Sequence, residues 1–227
     1  SPVGDVGTSG EGVLIFNHGD PLAKFLEQEK LPFLAGFNIY NGLAAATVAE
    51  SLGVSREHIK TALQNPGTIP GRLEEINEGQ PFKIIVDYAH SPVSLKALLE
   101  VLETRPRNNT IVVFGACGER DPKARPLMGS VLDHGADIII VTNDDPYGEN
   151  PEKIAAELIS GIKHKIAEIS LFKILDRRTA IAKALSLAQP GDLVLILGKG
   201  AEQLQVISNK KIPWDERKVI EEEFAKL

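Results

Sequence analysis

Four short segments of this chain carry charged or polar side chains beside glycine or at the end of an apolar run. Gly115-Ala116-Cys117-Gly118-Glu119-Arg120-Asp121 follows the run Thr110–Phe114, and its two glycines let the backbone turn tightly there. A planar guanidinium grips a carboxylate or a phosphate with two parallel hydrogen bonds, so Arg120 predicts a site for an anionic small molecule. A surface ion pair of Arg120 with Glu119 or Asp121 is the plainer alternative, though it contributes only about 0–1 kcal/mol. Asp87-Tyr88-Ala89-His90-Ser91-Pro92 reads in two ways. Asp87 could meet ribose hydroxyls with His90 beside them, or Ser91 could simply cap a helix. Asp144 and Asp145, in Thr142-Asn143-Asp144-Asp145-Pro146, could hold an ammonium or a magnesium ion, or form an acidic turn that caps the next helix. In Gly198-Lys199-Gly200-Ala201-Glu202 the glycines permit close approach of backbone to a ligand. That segment lacks the glycine spacing and the Lys-Ser/Thr pair of a phosphate-cradling loop, and no dinucleotide fingerprint follows any strand. Cys117 reads as a small residue filling a tight turn rather than a catalytic thiol, with no histidine close in sequence.

The segments between these loops must position them. Phe82–Tyr88, Thr110–Phe114, Asp137–Thr142, Leu171–Leu175 and Asp192–Leu197 read as strands. Val93–Glu103, Leu127–His134, Glu152–Ile166, Arg178–Ala188 and Asp215–Lys226 read as helices. Apolar runs alternating with helical patterns predict parallel strands buried on both faces. The expected fold is α/β: a three-layer, Rossmann-like, mostly parallel sheet over residues 71–227. All four loops then fall at the carboxyl ends of strands, where open α/β sheets bind ligands. Residues 1–70 read differently, as a small, mainly helical part. It has one strand, Val13–Phe16, and helices Pro21–Glu29, Asn41–Leu52 and Arg56–Leu63, with Pro66–Gly71 as linker.

Composition narrows the function. A formal net charge of -6 argues against a nucleic-acid partner, whose binding surfaces are usually basic. No apolar run approaches the roughly 20 residues that span a bilayer. A single cysteine cannot form an internal disulfide, and Ser1–Gly12 is polar, so a cytoplasmic location is expected.

Taken together, the segments resemble the Mur ligase family, ATP-dependent ligases that build the peptide stem of peptidoglycan, and within it the MurE type that adds the third amino acid. The resemblance rests on Phe37-Asn38-Ile39-Tyr40-Asn41, Pro70-Gly71-Arg72-Leu73-Glu74, Val86–Pro92, Phe114–Pro126, Asp144-Asp145-Pro146 and Gly198–Glu202. It implies that Asn38, Asn41, Arg72, Asp87, Tyr88 and His90 contact ATP. It also implies that Arg120 grips a carboxylate of the incoming amino acid, while Asp144, Asp145, Gly198 and Glu202 surround its amine and side chain. ATP, Mg2+ and a UDP-MurNAc-dipeptide are the implied reactants of the parent enzyme, with residues 1–70 a remnant of its central ATPase domain.

The sequence departs from that family at two places. Where Gly-Thr-x-Gly-Lys-Thr is expected it has Gly7-Thr8-Ser9-Gly10-Glu11-Gly12, with an acid in place of the phosphate-neutralising lysine. A chain without that loop is expected to be inactive alone, or to be a non-catalytic module that binds a nucleotide or an amino acid. The Asp-Asn-Pro-Arg of diaminopimelate-adding members is replaced by Asp144-Asp145-Pro146-Tyr147. That exchange removes the partner of diaminopimelate's second carboxylate and implies preference for lysine or another cationic amino acid.

Overall fold

The computed structural model describes residues 8–9, 13–14, 36–103 and 106–227. The expected helix Pro21–Glu29, most of Gly7–Gly12 and the end of the strand Val13–Phe16 lie outside the described residues. The chain divides into two compact units, Ser1–Gly67 and Thr68–Leu227.

In the first unit β1 (Thr8–Ser9) pairs antiparallel with β2 (Val13–Leu14), and α1 (Gly36–Ser51) precedes α2 (Arg56–Gln64). Gly53 ends α1 with a positive φ of 84°. The amide of Val54 donates to Ala49 O and that of Gly53 to Glu50 O, the paired closure that a left-handed residue permits. Ser55 caps α2, its hydroxyl accepting from His58 N, and Ile59 and Leu63 are the buried face one turn apart.

The second unit contains a six-stranded sheet. Its strands are β3 (Glu74–Ile76), β4 (Lys83–Asp87), β5 (Thr110–Phe114), β6 (Ile138–Val141), β7 (Leu171–Lys173) and β8 (Leu193–Leu197). They lie in the order β3-β4-β8-β5-β6-β7. β3 runs antiparallel at one edge and the others are parallel. The helices are α3 (Pro92–Glu103), α4 (Ala124–Gly135), α5 (Pro151–Ile159), α6 (Arg177–Leu187) and α7 (Glu216–Phe224).

Alternation along the strands builds two cores. Val112, Phe114, Leu193, Leu195 and Leu197 face one side with Leu95, Leu98 and Leu102 of α3, Leu132 of α4 and Leu158 of α5. Ile111, Val113, Val194 and Ile196 face the other, with Ala180, Ile181 and Ala184 of α6 and Val219 and Ile220 of α7. The unit is therefore the three-layer α/β sandwich that its apolar runs demand.

Three details differ from the sequence expectation. α5 stops at Ile159 rather than Ile166. Gly161 lies so close to α4 that a Cβ there would stand 1.9 Å from Pro126 O, and Gly129 meets Leu158 O in the same way. The two helices touch backbone to backbone, and Asp133 then draws the amides of Lys163 and His164 away from helical geometry. A short edge strand, β3, joins the sheet through only three residues. A hairpin of β9 (Leu204–Ile207) and β10 (Lys210–Pro213) turns at Ser208 and Asn209, both at positive φ, the two-residue turn that matches strand twist.

Candidate functional site

The strand order decides which loops meet. β8 enters between β4 and β5, so the Gly198 loop is flanked by the loops after β4 and β5, with the Asp144 loop next along the edge. Missing Cβ atoms bring the loops into contact. A Cβ on Gly115 would lie 2.5 Å from Thr142 O, and one on Gly118 2.1 Å from Pro146 O. A Cβ on Gly198 (φ 107°) would lie 2.6 Å from Asp144 Oδ2, and one on Gly71 2.1 Å from Ala201 N. These glycines serve backbone approach between loops, which is one use of glycine at such an edge.

Lys199 sits at the centre. Its side chain is 0 % exposed, and its ammonium donates to Asp145 Oδ1 at 3.0 Å, Asp144 Oδ1 at 3.3 Å and Glu202 Oε2 at 2.9 Å. Burial works to lower the lysine's pKa. The charge of Asp144 and the bonds to Glu202 and Asp145 outweigh it and hold the ammonium well above the ordinary lysine range. Asp144 is 1 % exposed; burial raises its pKa, against the opposing fields of Arg177 and Lys199. Its second oxygen has no hydrogen-bond partner. Asp145 Oδ1 also accepts from Val206 N at 2.8 Å, and Asp144 O accepts from Gln205 Nε2, so β9 docks directly on the acidic loop. Glu202, with 39 % of its side chain exposed, is the open member of the trio. Asp144, Asp145 and Glu202 have the donor set for a cation. Lys199 Nζ already stands among them, so the trio does not fit Mg2+ in this arrangement.

Arg120 is exposed and makes no ion pair with a described residue; Glu119 accepts from Gly148 N, and Asp121 from Lys123 N. Tyr147 lies close enough to feel the charges of Asp145, Arg120 and Glu202, although burial is the main reason its pKa is raised. The acids do not cap α5; Asn150 does, accepting from Glu152 N. Asp87 is buried at the end of β4, where its two oxygens accept from Leu73 N and Ala89 N, both at 2.8 Å. Burial raises its pKa, and those two bonds with Arg72 oppose the shift. His90 is exposed, and its Nδ1–H donates to Tyr88 O at 2.8 Å. Ser91 caps α3, accepting from Ser94 N. Arg72 and Tyr88 stack, guanidinium to ring centroid 4.6 Å. Asn38 and Asn41 lie on α1 in the first unit, where Asn41 Nδ2 donates to Asn38 Oδ1.

Several supporting residues carry no local sequence signal. Arg125 is buried and forked onto Glu149, both bonds 2.9 Å, with Glu157 at 2.6 Å and Cys117 O at 3.2 Å; it ties the Gly115 loop to the Asp144 loop. Arg177 is buried against Glu216 and also donates to Leu197 O and Asn143 O, the residues just before Gly198 and Asp144. Both arginines look like surface charges until the fold encloses them.

Residues 71–200 match the family described as Mur ligase, glutamate ligase domain. This chain belongs to the Mur ligase family. It is 42% identical over 196 residues to the UDP-N-acetylmuramoyl-L-alanyl-D-glutamate–2,6-diaminopimelate ligase of Caldanaerobacter subterraneus, covering 86% of this chain and 40% of that protein. It is 39% identical over 201 residues to a UDP-N-acetylmuramyl-tripeptide synthetase of a Roseiflexus species, covering 87% and 39%. A solved UDP-N-acetylmuramoyl-L-alanyl-D-glutamate–2,6-diaminopimelate ligase superposes with a TM-score of 0.66 at 34% identity, covering 87% of this chain and 40% of that one. The chain thus spans about 40% of the length of these Mur ligases. Among the described residues no helix is long and apolar enough to cross a membrane.

Proposed function

We propose that this chain is the amino-acid- and ATP-contacting part of a cytoplasmic MurE-type ligase, one that adds lysine rather than diaminopimelate to UDP-MurNAc-dipeptide. The observation that supports the reading is an exposed guanidinium with no ion pair to a described residue, Arg120, and a partly exposed carboxylate, Glu202, whose charges both reach Tyr147. An amino acid needs a cation at its carboxylate and an acceptor at its ammonium, and these loops offer both.

In the reaction the γ-phosphoryl group of ATP passes to the terminal carboxylate of the dipeptide, releasing ADP. The amine of the incoming amino acid then attacks the acyl carbon, loses a proton and expels inorganic phosphate. Arg120 would hold the incoming carboxylate and fix the direction of the amine. Glu202 would accept from its ammonium group. Asp144 and Asp145 would act through Lys199 rather than by direct contact, while Gly198 leaves room for Asp144. Arg72, Asp87, Tyr88 and His90 would form the nucleotide side of the second unit. Mg2+ would enter with the nucleotide's phosphates. Residues 1–70 are read as the tail of the central ATPase domain; with Gly7–Gly12 read as a linker rather than a working phosphate loop, the chain is proposed not to ligate alone.

Selectivity follows from the count of donors. A lysine ammonium has three, and all three of Lys199's are spent. Tyr147 presents a neutral phenol, so a second substrate carboxylate finds no counter-charge at either position.

Calorimetry with lysine, diaminopimelate and ATP tests the reading. Lysine is expected to bind at least about tenfold more tightly than diaminopimelate, with Tyr147→Arg narrowing or reversing the order. Tighter binding of diaminopimelate by the unaltered chain would refute the substrate assignment. Lysine binding with no ATP binding would favour a non-catalytic amino-acid-binding module. Robust turnover with ATP, dipeptide precursor and lysine would sink the claim that the chain is inactive alone.

A further inference from the structure

Glu202 divides its two oxygens between the two halves of the site. Oε2 accepts from Lys199 Nζ at 2.9 Å, and through that ammonium Glu202 is joined to Asp145 at 3.0 Å. Oε1 accepts from the hydroxyl of Tyr88 at 3.2 Å. The ring of Tyr88 makes two further contacts. The Arg72 guanidinium lies 4.6 Å from its centroid, and the His90 ring meets it edge-on, also at 4.6 Å. The backbone enforces the approach independently of these side chains. A Cβ on Gly200 would stand 2.8 Å from Gly71 O and 3.0 Å from Tyr88 Cβ, so the β8 loop and the β4 loop are pressed together where Tyr88 reaches Glu202.

We propose that Tyr88 is a positioning residue whose hydroxyl holds Glu202 in place, so that a nucleotide at Arg72 and His90 and an amino acid at Glu202 strengthen each other's binding. The inference rests on the functional reading above. It goes further by giving Tyr88, a nucleotide-side residue, a role in amino-acid affinity. Glu202 is a long side chain with an open face, and ordering it costs rotamer freedom. A nucleotide that immobilises Arg72 and His90 immobilises the Tyr88 ring that both touch, and the hydroxyl then fixes Glu202 before the amino acid arrives. The second ligand orders less, and thermodynamic linkage makes the effect mutual.

Calorimetry on the chain measures lysine affinity with and without a saturating non-hydrolysable ATP analogue, and the analogue's affinity with and without lysine. In the unaltered chain each ligand is expected to tighten the other by about fivefold. Tyr88→Phe keeps the ring that Arg72 and His90 stack on and deletes only the hydroxyl. Its expected effect is to weaken lysine about threefold to tenfold and to bring the mutual enhancement close to one. Glu202→Gln, which keeps the shape and loses the charge, is expected to abolish the enhancement as well. A merely structural tyrosine would instead lower the melting temperature and weaken both ligands in parallel, with the enhancement intact. Equal enhancement in the unaltered and Tyr88→Phe chains overturns the proposal, as does binding of both ligands with no enhancement in the unaltered chain; in both cases the functional reading survives. Failure of the unaltered chain to bind either ligand overturns that reading and this inference with it.

Discussion

Lys199 has three N–H donors, and the fold supplies three carboxylates for them. A fully buried lysine stays charged because its partners are so close. The same acids act on Cys117. Burial, then the charges of Asp144 and Asp145, push its thiol up to about 12. At pH 8 only about one thiol in ten thousand would be ionised, so alkylation by iodoacetamide is expected to run at least about a thousandfold slower than for free cysteine. Labelling at the rate of a free thiol would show that the turn opens in solution. The reading of Cys117 as filler rests on the tight turn and on the lack of a nearby histidine; the acids that raise its pKa are remote in sequence. Lys199 was equally hidden: two glycines mark a close approach, but nothing local says which way the lysine between them points. Arg120 and Arg125 illustrate the same limit. They stand five positions apart in one polar stretch, yet one is exposed and the other is enclosed by Glu149 and Glu157.

Elements with strong local signals were legible and weakly marked ones were not. The buried five-residue runs of β5 and β8 announce themselves by composition. β3, with its pattern Glu-Glu-Ile, and the hairpin β9–β10, whose second strand is wholly exposed, do not. The early stop of α5 lies in tertiary contact, through Gly161 on α4 and through Asp133. Asp133 makes a pH prediction possible. Burial works to raise its pKa, but bonds from Lys163 N, His164 N and the His164 ring prevail and hold it below the ordinary aspartate value. A lowered folded pKa contributes stability that is present above the unfolded value and lost as pH falls through the folded one. The amides of Lys163 and His164 are therefore expected to stay protected from hydrogen exchange at pH 5 and to lose protection together at acid pH, below about 3.9. Asp133→Asn should weaken that protection at neutral pH also, by about 1–3 kcal/mol. Unchanged exchange in the variant would remove Asp133 from this role.

At the scale of the molecule, the α/β class and its layers follow from the alternation of apolar runs with helical patterns, whereas the strand order does not, since parallel buried strands look alike in sequence. Arg177 shows how the order is secured. It joins the starts of α6 and α7 to the ends of β6 and β8 through Glu216, Asn143 O and Leu197 O. Arg177→Met would strand a buried carboxylate and is expected to cost about 3–5 kcal/mol in urea unfolding, with much of it recovered by the pair Arg177→Met and Glu216→Leu. Additive losses in the double variant would rule out a compensating ion pair. The position of β8 has a further consequence, in time rather than space. Lys83 and Thr110 both take Leu193 as a neighbour, so β4 and β5 share a partner that leaves the ribosome long after either of them. Until it arrives they have no common edge, and the sheet carries a gap one strand wide between apolar neighbours. Closing this unit is thus a late event of synthesis. A nascent chain stalled before residue 193 would hold two unjoined fragments of sheet, exposed to other chains until translation resumes.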